Sequence, residues 1–406
     1  MRFETIEKSE MQEIDGVNSI HHYPAKMATQ LGNYFISEYA PDQSNGQVFD
    51  PFCGSGTTLL LSRLHGFDVY GCDILEVPIQ ISKSKVTTLA DDEINQIRNI
   101  IQDINYPEIN ELDDWENREM WFDDDVYEDL MKIREVINKY QDQAIYSFLF
   151  TALSNVVWEV SSADPDVLVP TRSKQAENRP YYKTEEVTEL FKNNINKLMN
   201  MQEVHRNFGL SSYYPNINQG DAKKVDTWTG DQYDMILTSP PYGDGIDYRR
   251  SISLQTRFFS LEDKILGEKI TKHAVGRQYY HTSGLEELNI EFEEPLMNPL
   301  YEINDKSIDR LDSVITYLND MCKVIRNMKM KLKDGGIIGL VVGNPEVAGI
   351  RVPFHKMIIN IARENGLELR GNPKKDKISN RFQTPVRRSS DSPIQYEYLL
   401  PLQKTT

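Results

Sequence analysis

Cysteine is scarce in this chain. Cys53, Cys72 and Cys322 are too few and too far apart for a disulfide framework, and none has a neighbour at zinc-ligand spacing. A reducing cytoplasm is the expected setting. Long apolar runs are also missing. No stretch approaches the ~18 apolar residues of a membrane span, and the opening MRFETIEKSEMQEIDG has no apolar core of a secretion signal. Positive charge is in deficit, 45 basic against 62 acidic residues for a net −17. Such a balance favours solubility and argues against non-specific polyanion binding, but a global count leaves room for a local basic groove. No fixed-period repeat or long low-complexity tract is present. With 406 residues the chain can bury a sizeable core as one large domain or two ordinary ones.

The first strong pattern is GQVFDPFCGSGTTLLLSRLHGFDVYGCDI. A short apolar strand at Val48 and Phe49 runs into a glycine turn, then a helix from about Thr57 to His65, then a strand DVYGCD. This is a β–loop–α–β unit of the doubly wound kind, whose ligands sit at the carboxyl ends of strands. From about Lys85 to Tyr214 apolar residues recur at three- and four-residue spacing, the mark of amphipathic helices. An irregular stretch, SSADPDVLVPTRSKQAENRPYY, interrupts them. The α/β pattern resumes with INQGDA and YDMILTSPPY, and a long helix through DMCKVIRNMKMKL follows. KDGG is expected to end that helix, IIGLVVGN to be the next strand, and a helix in FHKMIINIARENG with strands near LELRG and QYEYLLPL to close the fold.

Gly54 and Gly56 in DPFCGSGTT let the backbone approach a ligand closely. A phosphate-binding P-loop would need a lysine that is not here, and a dinucleotide fingerprint a third glycine where Leu59 stands. S-adenosylmethionine is the cofactor left, its amino-acid end along the loop near a helix N-terminus and its ribose hydroxyls donating to Asp73. A tight turn without a ligand is the alternative for the loop taken alone. In DMILTSPPYGDGIDY, Pro240 and Pro241 must stop a strand, because proline has no N–H to give a sheet ladder. The strand therefore ends in a stiff corner that carries a hydroxyl, Ser239, and a ring, Tyr242.

DPFCGSGTT and TSPPY together resemble the cofactor and catalytic motifs of the amino-directed DNA methyltransferases, which modify N4 of cytosine or N6 of adenine. HHYPAKM, residues 21–27, is similar to the segment that precedes the glycine loop in that family, and KDGGIIGLVVGNP to the strand after the catalytic motif. The likeness covers about residues 18–85 and 216–370. It implies a doubly wound, mostly parallel, seven-stranded Rossmann-like sheet with helices on both faces. Residues 1–85 and 216–406 would form the catalytic domain, and 86–215 a helical insertion, a candidate target-recognition region, between the second and third strands.

The resemblance assigns Tyr23, Pro24, Lys26, Asp50, Phe52, Gly54, Gly56, Thr57, Asp73 and Asp221 to S-adenosyl-L-methionine, and Ser239, Pro240, Pro241 and Tyr242 to catalysis. HHYPAKM could instead be an ordinary helix start with Pro24 at the first helical position, and Asp221 an ordinary turn aspartate. Physical chemistry agrees with the catalytic assignment. An exocyclic amine is a poor nucleophile because its lone pair is delocalised, so it needs acceptors for its protons as the nitrogen pyramidalises. Ser239 and the Pro240 carbonyl can supply them on a rigid corner, and Tyr242 can stack on the base. A base within double-stranded DNA must be flipped out to reach such a corner.

Arg249 and Arg250, Arg172 and Lys174 with Arg179 in the irregular stretch, and Arg387 and Arg388 in the basic run 374–388 are the candidates for DNA contact; a solvated surface is the alternative for the run. Trp121, Phe122, Tyr181 and Tyr182 are expected to pack helices rather than read bases. No metal site is expected. In the family the chain resembles, serine before Pro-Pro-Tyr more often accompanies cytosine N4 methylation, and aspartate or asparagine adenine N6 methylation, which makes N4 of cytosine the expected target. Adenine N6, guanine N2 of RNA, and a subunit that relies on a partner for DNA binding stay open, as does a companion nuclease of a restriction-modification or other defence system.

Overall fold

Tyr233–Thr238 is buried at every position, as a strand must be when helices cover both faces of its sheet. The computed structural model describes residues 8–24, 26–41, 46–165, 167, 169–172, 184–243, 248–261, 274–276, 284–378 and 394–405. Its strands in chain order are β1 (Gln47–Asp50), β2 (Asp68–Asp73), β3 (Asn216–Gln219), β4 (Tyr233–Thr238), β5 (Leu332–Gly343), β6 (Glu346–Val347), β7 (Ile350–Arg351), β8 (Leu367–Leu369), β9 (Lys374–Lys377) and β10 (Tyr396–Lys404). The helices are α1 (Lys8–Asn18), α2 (Thr29–Tyr39), α3 (Thr57–Leu64), α4 (Glu76–Val86), α5 (Asp91–Gln102), α6 (Asp124–Asn138), α7 (Ile145–Glu159), α8 (Thr184–Asn207), α9 (Tyr248–Ser251), α10 (Ser253–Phe258), α11 (Glu294–Lys306), α12 (Ile308–Lys331) and α13 (Phe354–Glu364).

β1 lies between β2 and β4, with β3 beyond β2 and β5 beyond β4, all parallel. β10 then runs antiparallel to β5, β8 and β9. The order is β3-β2-β1-β4-β5-β10-β8, with β9 also on β10, eight strands in all. The α/β architecture is as expected, but the sheet is mixed and eight-stranded rather than seven-stranded and mostly parallel. The extra strand arises because β10 is long: Leu402–Lys404 pairs with β8, and Tyr396–Leu399 with β9. β9 reads KKDK and has no apolar alternation; its backbone pairing with β10 places it there. KDGG also differs from expectation. α12 ends at Lys331 and KDGG lies inside β5, where the register against β4 shifts between Tyr233 and Met235 to absorb it.

Successive strand residues face opposite sides, and the core divides accordingly. Val48, Met235, Leu237, Ile337 and Val341 belong to one cluster with α2–α8. Phe49, Ile236, Ile338 and Leu340 belong to a second with α11–α13. Among the described residues, the elements between β2 and β3 are helices that share the first cluster. α7, buried at nearly every position, is at their centre, with α4, α6, α8 and α10 around it. No described helix is long and apolar enough to cross a membrane.

Candidate active site

Because β1–β5 are parallel, their carboxyl ends share one edge of the sheet. β1 ends at Asp50, whose carboxylate ties the loop to its surroundings. Oδ1 accepts from the Phe52 N–H at 2.9 Å and the Thr238 hydroxyl at 2.6 Å, and the Thr58 hydroxyl donates to Oδ2. Burial pushes Asp50 up to about 6 against the pull of those donors. The Thr238 bond joins the glycine loop to the strand that carries Ser239. Gly56 has φ 81°, and a Cβ there would lie 2.9 Å from Ser82 Cα on α4. Its role is to seat the loop on that helix. Gly54, φ 48°, faces the ring of Tyr23, which would stand 3.4 Å from an added Cβ.

Asp73 ends β2 beside the loop. The Gly54 N–H donates to its Oδ2 at 3.1 Å and the Leu75 N–H to its Oδ1 at 3.0 Å. Burial raises it to about 6. Each oxygen retains a second lone pair, so the carboxylate can still accept ribose hydroxyls. The Gly220 N–H donates to the Asp73 carbonyl at 2.9 Å, which sets Asp221 next along the edge. The Asp221 carboxylate accepts from the Lys223 N–H at 3.0 Å. Phe52 is half-buried against the second cluster.

HHYPAKM docks on both the loop and α7. His21 Nε2 is 2.9 Å from Ser154 Oγ, and His22 stacks on Trp158 at 4.4 Å. α2 begins at Thr29, so Pro24 is not at a first helical position. Asn18 organises the polar groups here. Its side-chain oxygen accepts from the Thr57 hydroxyl at 2.9 Å and from Lys85 Nζ at 3.1 Å. Its carbonyl accepts from Lys26 Nζ at 2.7 Å and Lys85 Nζ at 2.9 Å. Burial lowers Lys26 to about 8 and holds Lys85 well below the usual lysine range. Both lysines are thus tied to Asn18, whose side chain also holds the Thr57 hydroxyl at the start of α3. Sequence reasoning missed Lys85 and Asn18, whose only local trait is polarity.

Ser239–Tyr242 follows β4, the strand adjacent to β1. Ser239 Oγ is 3.1 Å from Tyr242 Oη, and that phenol donates to Glu397 Oε1 at 2.7 Å. Glu397 opposes Gly343 across β5 and β10, and a Cβ on Gly343 would come within 3.1 Å of the Tyr242 ring. Burial raises the Glu397 carboxyl while the Tyr242 bond lowers it. Tyr248 stacks on Tyr23 at 6.2 Å, and its phenol is raised by burial, by Glu397 and by Asp73. Neither Glu397 nor Tyr248 figured in the sequence reading. A glutamate amid the apolar and aromatic residues of QYEYLL was the one signal for the former.

Arg249 is half-buried and Arg250 exposed on α9, just after Tyr248. Arg172 is exposed at its bridge with Ala163. Lys174, Arg179, Tyr181, Tyr182, Phe382, Arg387 and Arg388 lie outside the described residues. In the basic run, Lys374 sits 3.1 Å over the Tyr34 ring and Lys375 3.8 Å over Tyr396. Phe122 is buried against Trp115 and Tyr127, and Trp121 packs on the same core. No group of three potential metal ligands occurs among the described residues.

A doubly wound sheet with a glycine loop, a carboxylate at the end of the next strand and a Ser-Pro-Pro-Tyr corner on neighbouring strands is the arrangement of a methyltransferase. A family described as "DNA methylase" matches residues 3–84. The type II methyltransferase M.MvaI of Kocuria varians is 27% identical, over 85% of this chain and 80% of that protein. M.BsoBI of Geobacillus stearothermophilus is 21% identical over 86% and 79%, and M.AvaI of a Nostoc species 22% over 86% and 78%. These matches make the chain similar to the amino-directed DNA methyltransferases, the N6/N4 group.

Proposed function

We propose that the protein transfers a methyl group from S-adenosylmethionine to the exocyclic amine of a base flipped out of double-stranded DNA, with N4 of cytosine as the target. What carries this reading is the adjacency of the glycine loop and the Ser239 corner on β1 and β4, bridged by the Asp50–Thr238 bond. The remaining lone pairs of Asp73, beside the Gly54 N–H that it accepts from, fit the cofactor. When bound, it supplies an electrophilic methyl on a sulfonium. Tyr23, Pro24, Phe52, Gly54 and Gly56 would shape its bed, Asp73 and Asp221 would hold its nucleoside, and Lys26 with Thr57 its amino-acid end. Asp50 would hold the loop on which the ligand lies.

Ser239 Oγ and the Pro240 carbonyl would accept the amine's protons. Pro241 keeps the corner rigid, and Tyr242 supports the base. Arg249 and Arg250 stand where a phosphate backbone would pass the site. Residues 86–215, with Arg172 and Lys174, would read the target sequence, and Arg387 and Arg388 would add backbone contact. Cytosine rather than adenine rests on Ser239 in place of the aspartate or asparagine of adenine enzymes.

The test is incubation with labelled cofactor and, in parallel, mixed-sequence duplex DNA or RNA, followed by nucleoside mass spectrometry. N4-methylcytosine supports the full reading. N6-methyladenine would replace the base but keep the mechanism, and methylation of RNA alone would replace the substrate.

A further inference from the structure

Ser239, Tyr242 and Glu397 form a line of hydroxyls that ends in a carboxylate. The links are 3.1 Å from Ser239 Oγ to Tyr242 Oη and 2.7 Å from Tyr242 Oη to Glu397 Oε1. Glu397 is only 8% exposed, and buried glutamates are rare unless they are paired. Among the described residues its partner is a neutral phenol, not a cation. An ionised carboxylate can only accept, so the Tyr242 proton is committed to Glu397. Tyr242 Oη is then left to accept the Ser239 proton. That leaves the lone pairs of Ser239 to accept from an amine brought to the corner.

We propose that Glu397 is a positioning residue for methyl transfer, which fixes this direction of donation and takes up, through Tyr242 and Ser239, the proton the target amine loses. The step balances. As the amine nitrogen bonds to the methyl carbon, the carbon–sulfur pair passes to sulfur and the sulfonium becomes a neutral thioether. The amine N–H proton moves to Ser239 Oγ, the Ser239 proton to Tyr242 Oη and the Tyr242 proton to Glu397. The N–H electrons stay on nitrogen, the product amine is neutral, and one positive and one negative charge disappear together.

Among the described residues, the ionisable groups facing Glu397 are Tyr242 from the corner, Tyr248 from α9 and Asp376 from β9. Lys375 is turned onto the rings of Tyr396 and Tyr398. No cation in this set would stop Glu397 from accepting a proton.

The assignment rests on the methyl-transfer reading, and its test separates the two. Single-turnover transfer to DNA is followed against pH in the wild type and in Glu397→Gln, which keeps an acceptor oxygen but cannot take a proton. The variant is expected to be slower by about 100-fold, to lose the acid limb of the wild-type profile, and to bind cofactor as before. A variant with wild-type rates or an unchanged acid limb overturns the proposal.

The second readout needs neither cofactor nor transfer. Infrared titration of the carboxylate band, with Glu397→Gln as the blank, gives the Glu397 protonation curve. Tyr242→Phe, which removes the donor, should move that curve to higher pH; a curve that stays in place overturns the proposal. Wild type that binds cofactor and DNA yet transfers nothing contradicts the function instead, and leaves the infrared result to decide the assignment of Glu397.

Discussion

At the scale of single residues the site is held by carboxylates and ammonium groups that burial pushes toward neutrality. Asp73 already accepts from two backbone N–H groups and has lone pairs to spare. Asp73→Ala is expected to weaken S-adenosylmethionine binding by about 1–3 kcal/mol, measured by calorimetry; unchanged affinity would remove Asp73 from the cofactor site. Lys26 gives a pH prediction. Burial lowers it to about 8, so its positive charge is lost as pH rises through that value. An anionic end of the cofactor beside it should therefore bind more weakly above about pH 8 than below. Lys26→Met should bind weakly throughout and lose that inflection. A wild-type affinity that stays flat across this range would show that Lys26 does not meet the carboxylate.

At the scale of elements, the loop between β1 and α3 works because two glycines let it lie between α4 and HHYPAKM. An added Cβ at Gly56 would press on Ser82 Cα, a backbone atom that cannot rotate away, at a φ of 81°. Gly56→Ala should cost about 1–3 kcal/mol of stability, read as a lower urea midpoint; an unshifted midpoint would contradict this account of the loop. This unit was legible in the sequence because everything that defines it is contiguous: apolar strand, glycine turn, helix, and a second strand ending in Asp73. The Ser239 corner was legible for the same reason, since two prolines mark a strand end without help from the rest of the chain. Glu397 was not, because β10 reaches Tyr242 only through a strand order that brings distant sequence to the end of β5. β9 escaped because KKDK is placed by backbone pairing and not by apolar side chains. Asp50, assigned to the cofactor by its place in the motif, also ties the loop, because its buried carboxylate accepts from three protein donors.

For the whole molecule, the net −17 must be reconciled with a polyanionic substrate. The acidic residues would have to segregate from a basic channel near Arg249, Arg250 and the run 374–388. Duplex affinity in a gel shift should then fall with salt, with a log–log slope of about −0.9 for each phosphate neutralised. No binding by the isolated protein even at low salt would favour a partner subunit that brings the DNA.

The most direct test of the central claim, that the Ser239 corner delivers the methyl group to a DNA base, compares wild type with Ser239→Ala in two parallel assays. One is cofactor affinity by calorimetry and the other is transfer of labelled methyl to duplex DNA at saturating cofactor. The account predicts nearly equal affinities and a large loss of transfer in the variant, because Ser239 acts as the amine pyramidalises and not when the cofactor binds. Ser239→Ala that methylates DNA at the wild-type rate would contradict it.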